Sequence, residues 1–116
     1  MMTIPAESVL LRIFCGEDDR HGHTPLYEAI ILKAREAGLA GATMLRGMTG
    51  FGHSSHLHTA KILRLSQDLP IVIEIVDARE KIEAFLPEID SMLGSALVTM
   101  EKVQVLQYGP RENKRG

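Results

Sequence analysis

The residues with the most chemical potential fall in one stretch, Arg46 to Arg64. It holds three closely spaced glycines (Gly47, Gly50, Gly52), three of the five histidines (His53, His56, His58) and the hydroxyls Ser54 and Ser55. Two cations, Lys61 and Arg64, follow, and Arg46 opens it. Closely spaced glycines let backbone N–H groups approach an anion, and arginine or lysine neutralises phosphate oxygens. The same residues also suit a hinge with solvated cations. The glycine order, G-x-x-G-x-G, is not that of a dinucleotide fingerprint, and no G-K-[S/T] follows to make a P-loop. His56 and His58 share a face if the chain is extended, and neutral imidazoles bind zinc, copper or nickel. A metal site on His53, His56 and His58 therefore stands beside the alternative that these side chains are simply exposed. Nucleophilic catalysis lacks its parts. Ser54, Ser55 and Thr59 have histidines nearby but no orienting third group, and Cys15 falls in a strand pattern where it reads as a small buried hydrophobe. We expect no enzyme activity.

The elements that must hold this stretch bracket it. The chain has 116 residues, which suits one domain that buries about two-thirds of its unfolded surface. Its hydrophobic fraction of 45% is that of a globular protein, and the net charge of −2 gives no basic field for nucleic acid. No run of roughly 18 apolar residues is present to insert in a membrane. The N-terminus lacks a signal-peptide pattern, and the single cysteine excludes an internal disulfide; a cytoplasmic location is the expectation. With no Trp, two Tyr and three Phe, the core must be aliphatic.

Residues 1–7 read as a loose lead-in. Ser8–Cys15 is rich in branched residues and ends at Gly16, as a strand does. Gly16–Thr24 reads as a polar loop in which Glu17, Asp18 and Asp19 are a solvated turn. Thr24 is a candidate helix cap and Pro25 suits the first helical position. Leu26, Ile30, Ala34 and Ala37 make an apolar stripe, and Gly38 is a natural stop. The first helix is thus expected over Pro25–Ala37. Ala40–Met48 reads as a second strand, followed by the long polar loop. Ile71–Val76 is the clearest strand, with Ile71, Ile73 and Ile75 on one face and Val72, Glu74 and Val76 on the other. Glu74 is expected to pair with Arg12 or Lys102. Asp77 and Glu80 form a capping-box pattern. Ile82, Phe85, Ile89 and Leu93 continue as a helical stripe, which Pro87 must kink or split. Leu97–Tyr108 reads as the last strand. The domain is expected over 1–108, with residues 109–116 a disordered tail.

The order strand, helix, strand, strand, helix, strand predicts an α+β, ferredoxin-like βαββαβ fold. Four antiparallel strands would carry two helices on one face, with the long loop between the second and third strands. The face opposite the helices should then be polar. Here it carries Val72 and Val76, so a partner subunit is expected to cover it.

Several segments together resemble one family. Val9–Phe14, Gly16–Asp19, Pro25–Ile30, Gly38–Thr43, Arg46–Gly47, Gly50–Gly52, His58–Thr59, Asp68–Pro70, Ile73–Asp77 and Ile82–Pro87 are similar, in that order, to domain of unknown function 190. The resemblance covers about residues 7 to 108. That family is similar to PII signalling proteins, which implies a homotrimer with adenine nucleotide in the clefts between subunits. It also implies a docking loop (the T-loop, here about residues 46–66) that engages an enzyme or a membrane transporter or channel. By the same resemblance Arg46, Gly47, Gly50, Phe51, Gly52, Lys61 and Arg64 are the candidate nucleotide-binding residues. One departure is clear. The PII loop before the last strand is rich in glycine and lysine and grips phosphate, whereas Leu93-Gly-Ser-Ala96 is too short to wrap a triphosphate, which implies a smaller nucleotide or none. The competing expectation is a divalent-metal-binding trimer, similar in architecture to divalent-cation-tolerance proteins, built on the loop histidines.

Overall fold

A computed structural model describes residues 4–48, 50 and 69–109. The main sheet is built from β1 (Glu7–Gly16), β4 (Thr43–Arg46), β5 (Pro70–Asp77) and β6 (Leu97–Gln104), in the order β4-β5-β1-β6. Every pairing is antiparallel. Two helices, α1 (Leu26–Glu36) and α2 (Arg79–Leu93), complete the βαββαβ plan expected from the sequence.

Alternation along the strands decides which side the helices cover. In β5, Ile71, Ile73 and Ile75 are buried while Val72, Glu74 and Val76 are only half-buried. In β1 the buried set is Val9, Leu11 and Ile13. Leu26, Ile30 and Ala34 of α1 and Ile82, Phe85 and Ile89 of α2 join them in one aliphatic core. Each fully buried side chain of this size stabilises the fold by about 1.5–3 kcal/mol. Cys15 is half-buried at the rim of this core rather than inside it.

The loop between β1 and α1 is more structured than its polar composition implied. Residues Arg20–His21 (β2) and Thr24–Pro25 (β3) form a small antiparallel pair, turned by Gly22 at φ 63°. Thr24 makes no side-chain cap; Pro25 occupies the cap position of α1 instead. The N–H of Leu26 donates to Asp19 O at 2.8 Å, so the loop itself satisfies the helix start. Gly38, at φ 77°, ends α1 as expected. The N–H of Gly38 donates to Arg35 O at 3.1 Å and that of Leu39 to Ala34 O at 3.1 Å.

Further expectations are corrected or narrowed. Asp77 does not build a capping box: Ala78 is the cap residue of α2 and no side chain caps it. Asp77 is instead fully buried, accepting from Ala78 N–H at 2.7 Å and from Ala40 N–H at 2.8 Å. Pro87 does not split its helix, which runs unbroken through it. Phe85 and Ile89, on either side, are both buried, and that burial outweighs one lost backbone bond. The second strand is only Thr43–Arg46, and the last strand stops at Gln104. The segment ahead of β1 is tied down: Pro5 O accepts from Ser8 Oγ at 2.8 Å and Ala6 O from Val105 N–H at 2.7 Å.

A short strand such as β4 needs anchors. Three side chains hold the backbone ahead of it. Lys81 Nζ donates to Gly38 O at 2.6 Å, Asp77 accepts from Ala40 N–H, and Tyr108 Oη donates to Ala40 O at 2.8 Å. Thus α2 and the segment after β6 both set where β4 begins. β4 in turn sets where the long connection leaves the sheet.

Candidate functional site

The connection between β4 and β5 has two feet, and both are described. At the first, Gly47 N–H donates to Pro70 O at 2.8 Å. A Cβ on Gly47 would lie 2.7 Å from Pro70 Cγ, so only glycine allows this approach without displacing the proline ring. Gly50 passes the same ring, where a Cβ would meet Cγ at 3.2 Å. At the second foot, Leu69 O accepts from Glu17 N–H at 2.8 Å. The Arg46 guanidinium closes the group, with Nη2 2.7 Å from Glu17 Oε2.

Arg46, Gly47 and Gly50 are therefore brought together at one end of the sheet. The other candidate residues, Phe51, Gly52, Lys61 and Arg64, and the proposed metal ligands His53, His56 and His58, lie outside the described residues. Among the described residues no group of three His, Cys, Asp or Glu side chains could hold a metal ion. Glu17 was expected to be part of a solvated turn; it is an ion-pair partner of Arg46 and a backbone donor to the second foot. Its signal in the sequence is indirect. Antiparallel pairing of β1 with β5 sets Gly16 opposite Pro70, which delivers Glu17 to the start of β5.

The second feature is the face that no helix covers. Leu10 and Phe14 of β1 stand opposite Val76 and Val72 of β5. Leu45 of β4 flanks Val72, and Leu97 of β6 flanks Phe14. Leu45 is 50% exposed and Leu97 59%. Charge is concentrated between these apolar positions. Arg12 Nε lies 2.9 Å from Glu74 Oε2 and Nη1 lies 2.7 Å from Glu101 Oε1. The hydrogen bond with Glu74, with further support from Glu101, raises the already high pKa of Arg12, so it stays charged. Lys102, the other partner considered for Glu74, stands opposite Val9 on the helix side. At the end of the sheet far from Arg46, a hollow of about 580 Å³ is lined by Ala40, Thr43, Glu74, Val76 and Tyr108, among others.

These elements define a class. The fold is that of PII-like proteins. The apo structure of a nitrogen regulatory PII-like protein, CPII from Thiomonas intermedia K12, matches with a TM-score of 0.57 and 18% identity, covering 85% of this chain and 91% of that one. The same protein bound to ADP, AMP and acetate matches with a TM-score of 0.62 and 18% identity, over 87% and 90%. The chain itself belongs to the domain of unknown function 190 family, described as an uncharacterized ACR, whose model matches residues 8–105. A UPF0166 protein of Aquifex aeolicus (strain VF5) is 40% identical over 97 residues, covering 84% of this chain and 91% of the relative. Among the described residues no helix is long and apolar enough to cross a membrane.

Proposed function

We propose that this protein is a PII-like regulator and not an enzyme. It assembles as a homotrimer through the open face of its sheet. It binds an adenine nucleotide in the cleft between subunits, at the root of the long connection. Arg46 contacts phosphate there. Gly47, Gly50, Phe51 and Gly52 let the backbone come close, and Lys61 and Arg64 add positive charge. Nucleotide occupancy changes the relative stability of two states of the connection, about residues 46–66, because the ligand binds one of them better. That connection docks on a partner protein in the cytoplasm, an enzyme or a membrane transporter or channel.

One observation carries the reading. A guanidinium and two glycines meet at the feet of the connection, in a fold shared with a protein whose structure holds ADP and AMP. The apolar ring around Arg12 supports assembly, since a sheet face of this composition is seldom left to water. The turn between α2 and β6 favours a nucleotide with few phosphates. Ala96 N–H donates to Leu93 O at 3.0 Å, and this tight turn leaves no loop to wrap a longer chain. Titration calorimetry against ATP, ADP, AMP and cyclic nucleotides tests the proposal. Heat is expected with at least one of them, ADP or AMP first, and no heat with any contradicts it.

A further inference from the structure

The Arg46 guanidinium already has an anion beside it, the carboxylate of Glu17 at 2.7 Å. We propose that Glu17 is an intramolecular competitor for that guanidinium. A phosphate-bearing ligand must then displace its carboxylate, and Glu17 sets the affinity of the site. The inference rests on the nucleotide reading above.

Glu17 is well placed for this. Its turn is braced without help from the connection: Gly16 N–H donates to Asp19 Oδ2 at 2.9 Å, and Asp19 N–H to Gly16 O at 3.2 Å. The Glu17 backbone N–H is committed to Leu69 O, while its carboxylate pairs with Arg46. One residue thus touches both feet through separate atoms. The pair is also weak enough to exchange. Side-chain exposures of 47% for Arg46 and 27% for Glu17 leave it in contact with water and salt, where such pairs contribute little. A phosphate oxygen pair offers the guanidinium a bidentate arrangement that this single 2.7 Å contact does not. The displaced carboxylate then stays close, as a like charge beside the bound phosphate.

The opposite role is also chemically sensible: Glu17 could hold Arg46 in the orientation the ligand needs. The two roles predict opposite signs. Glu17→Gln keeps the backbone bond to Leu69 and removes the charge. As a competitor, its loss should tighten binding of both ADP and inorganic pyrophosphate by about fivefold to tenfold. Glu17→Asp, whose carboxylate reaches less far, should give a smaller gain. The gain should shrink when Glu17→Gln is made in the Arg46→Gln background, leaving only the relief of like-charge repulsion. Calorimetry of the full chain with the two probes separates the outcomes. Tighter binding by Glu17→Gln, or binding by that variant alone, supports the competitor role. Binding by the wild type that is unchanged or weakened in Glu17→Gln overturns it and leaves the nucleotide reading standing. No binding of either probe by any form overturns both.

Discussion

Replacing Asp77, itself without exposure to solvent, with alanine removes the acceptor of two part-buried backbone N–H groups. The carboxylate accepts from Ala40 at 2.8 Å and Ala78 at 2.7 Å, and Lys81 Nζ stands 3.7 Å from it. A hydrogen bond to a charged acceptor is worth about 1.5–3 kcal/mol, and an orphaned buried donor costs about 1–3 kcal/mol. The two bonds share one side chain and do not add fully, so the expected loss is about 3 kcal/mol. The carboxylate also faces the N-terminus of α2, where negative charge is favoured. For a domain of this size about 1 kcal/mol moves Tm by about 4 °C. Asp77→Ala should therefore lower Tm by about 12 °C, read by scanning calorimetry at one fixed protein concentration because assembly also shifts Tm. Asp77→Asn, which keeps one acceptor oxygen, should fall roughly halfway. A drop for Asp77→Ala below about 4 °C would refute the claim that this carboxylate anchors the entry to β4.

Gly47→Ala places a methyl group 2.7 Å from the Pro70 ring, and the resulting overpacking should cost about 1–3 kcal/mol, measured by urea unfolding; a stability equal to wild type contradicts the close approach. Arg46→Gln should weaken ADP binding about tenfold or more, the loss of one charge-assisted contact, with little change in Tm because Arg46 is half exposed. Val72→Glu puts a carboxylate between Phe14 and Leu45 on the open face. Sedimentation should then report single subunits with an unchanged circular dichroism spectrum, whereas an intact oligomer would remove that face from the interface.

How much of this was legible in the sequence follows from which signals are local. The alternation of Ile71–Val76 marked its buried and open sides without any knowledge of neighbours, and the apolar stripes marked both helices. Glu74 was expected to pair with Arg12 or Lys102, and the pairing of β1 with β5 sets Arg12 opposite it. Lys102 was the wrong alternative because register, which sequence pattern does not reveal, turns it to the opposite side. Asp77 read as a cap because its spacing to Glu80 is local, while its partner Ala40 is distant in the chain. Of the two outcomes expected at Pro87, a kink or a split, the split does not occur, since the burial of Phe85 and Ile89 outweighs one missing hydrogen bond. Arg46, Gly47 and Gly50 were singled out by residue type and by the family resemblance, and the structure brings them to one end of the sheet. Glu17 was missed because its role exists only once β1 and β5 are paired.

The central claim is that subunits join and hold adenine nucleotide at the feet of the connection. Native mass spectrometry of the full chain with added ADP reads both parts at once. The expected spectrum is a trimer that gains up to three ADP as the nucleotide is raised. A single subunit, or a trimer whose mass does not change at saturating ADP, would contradict the account.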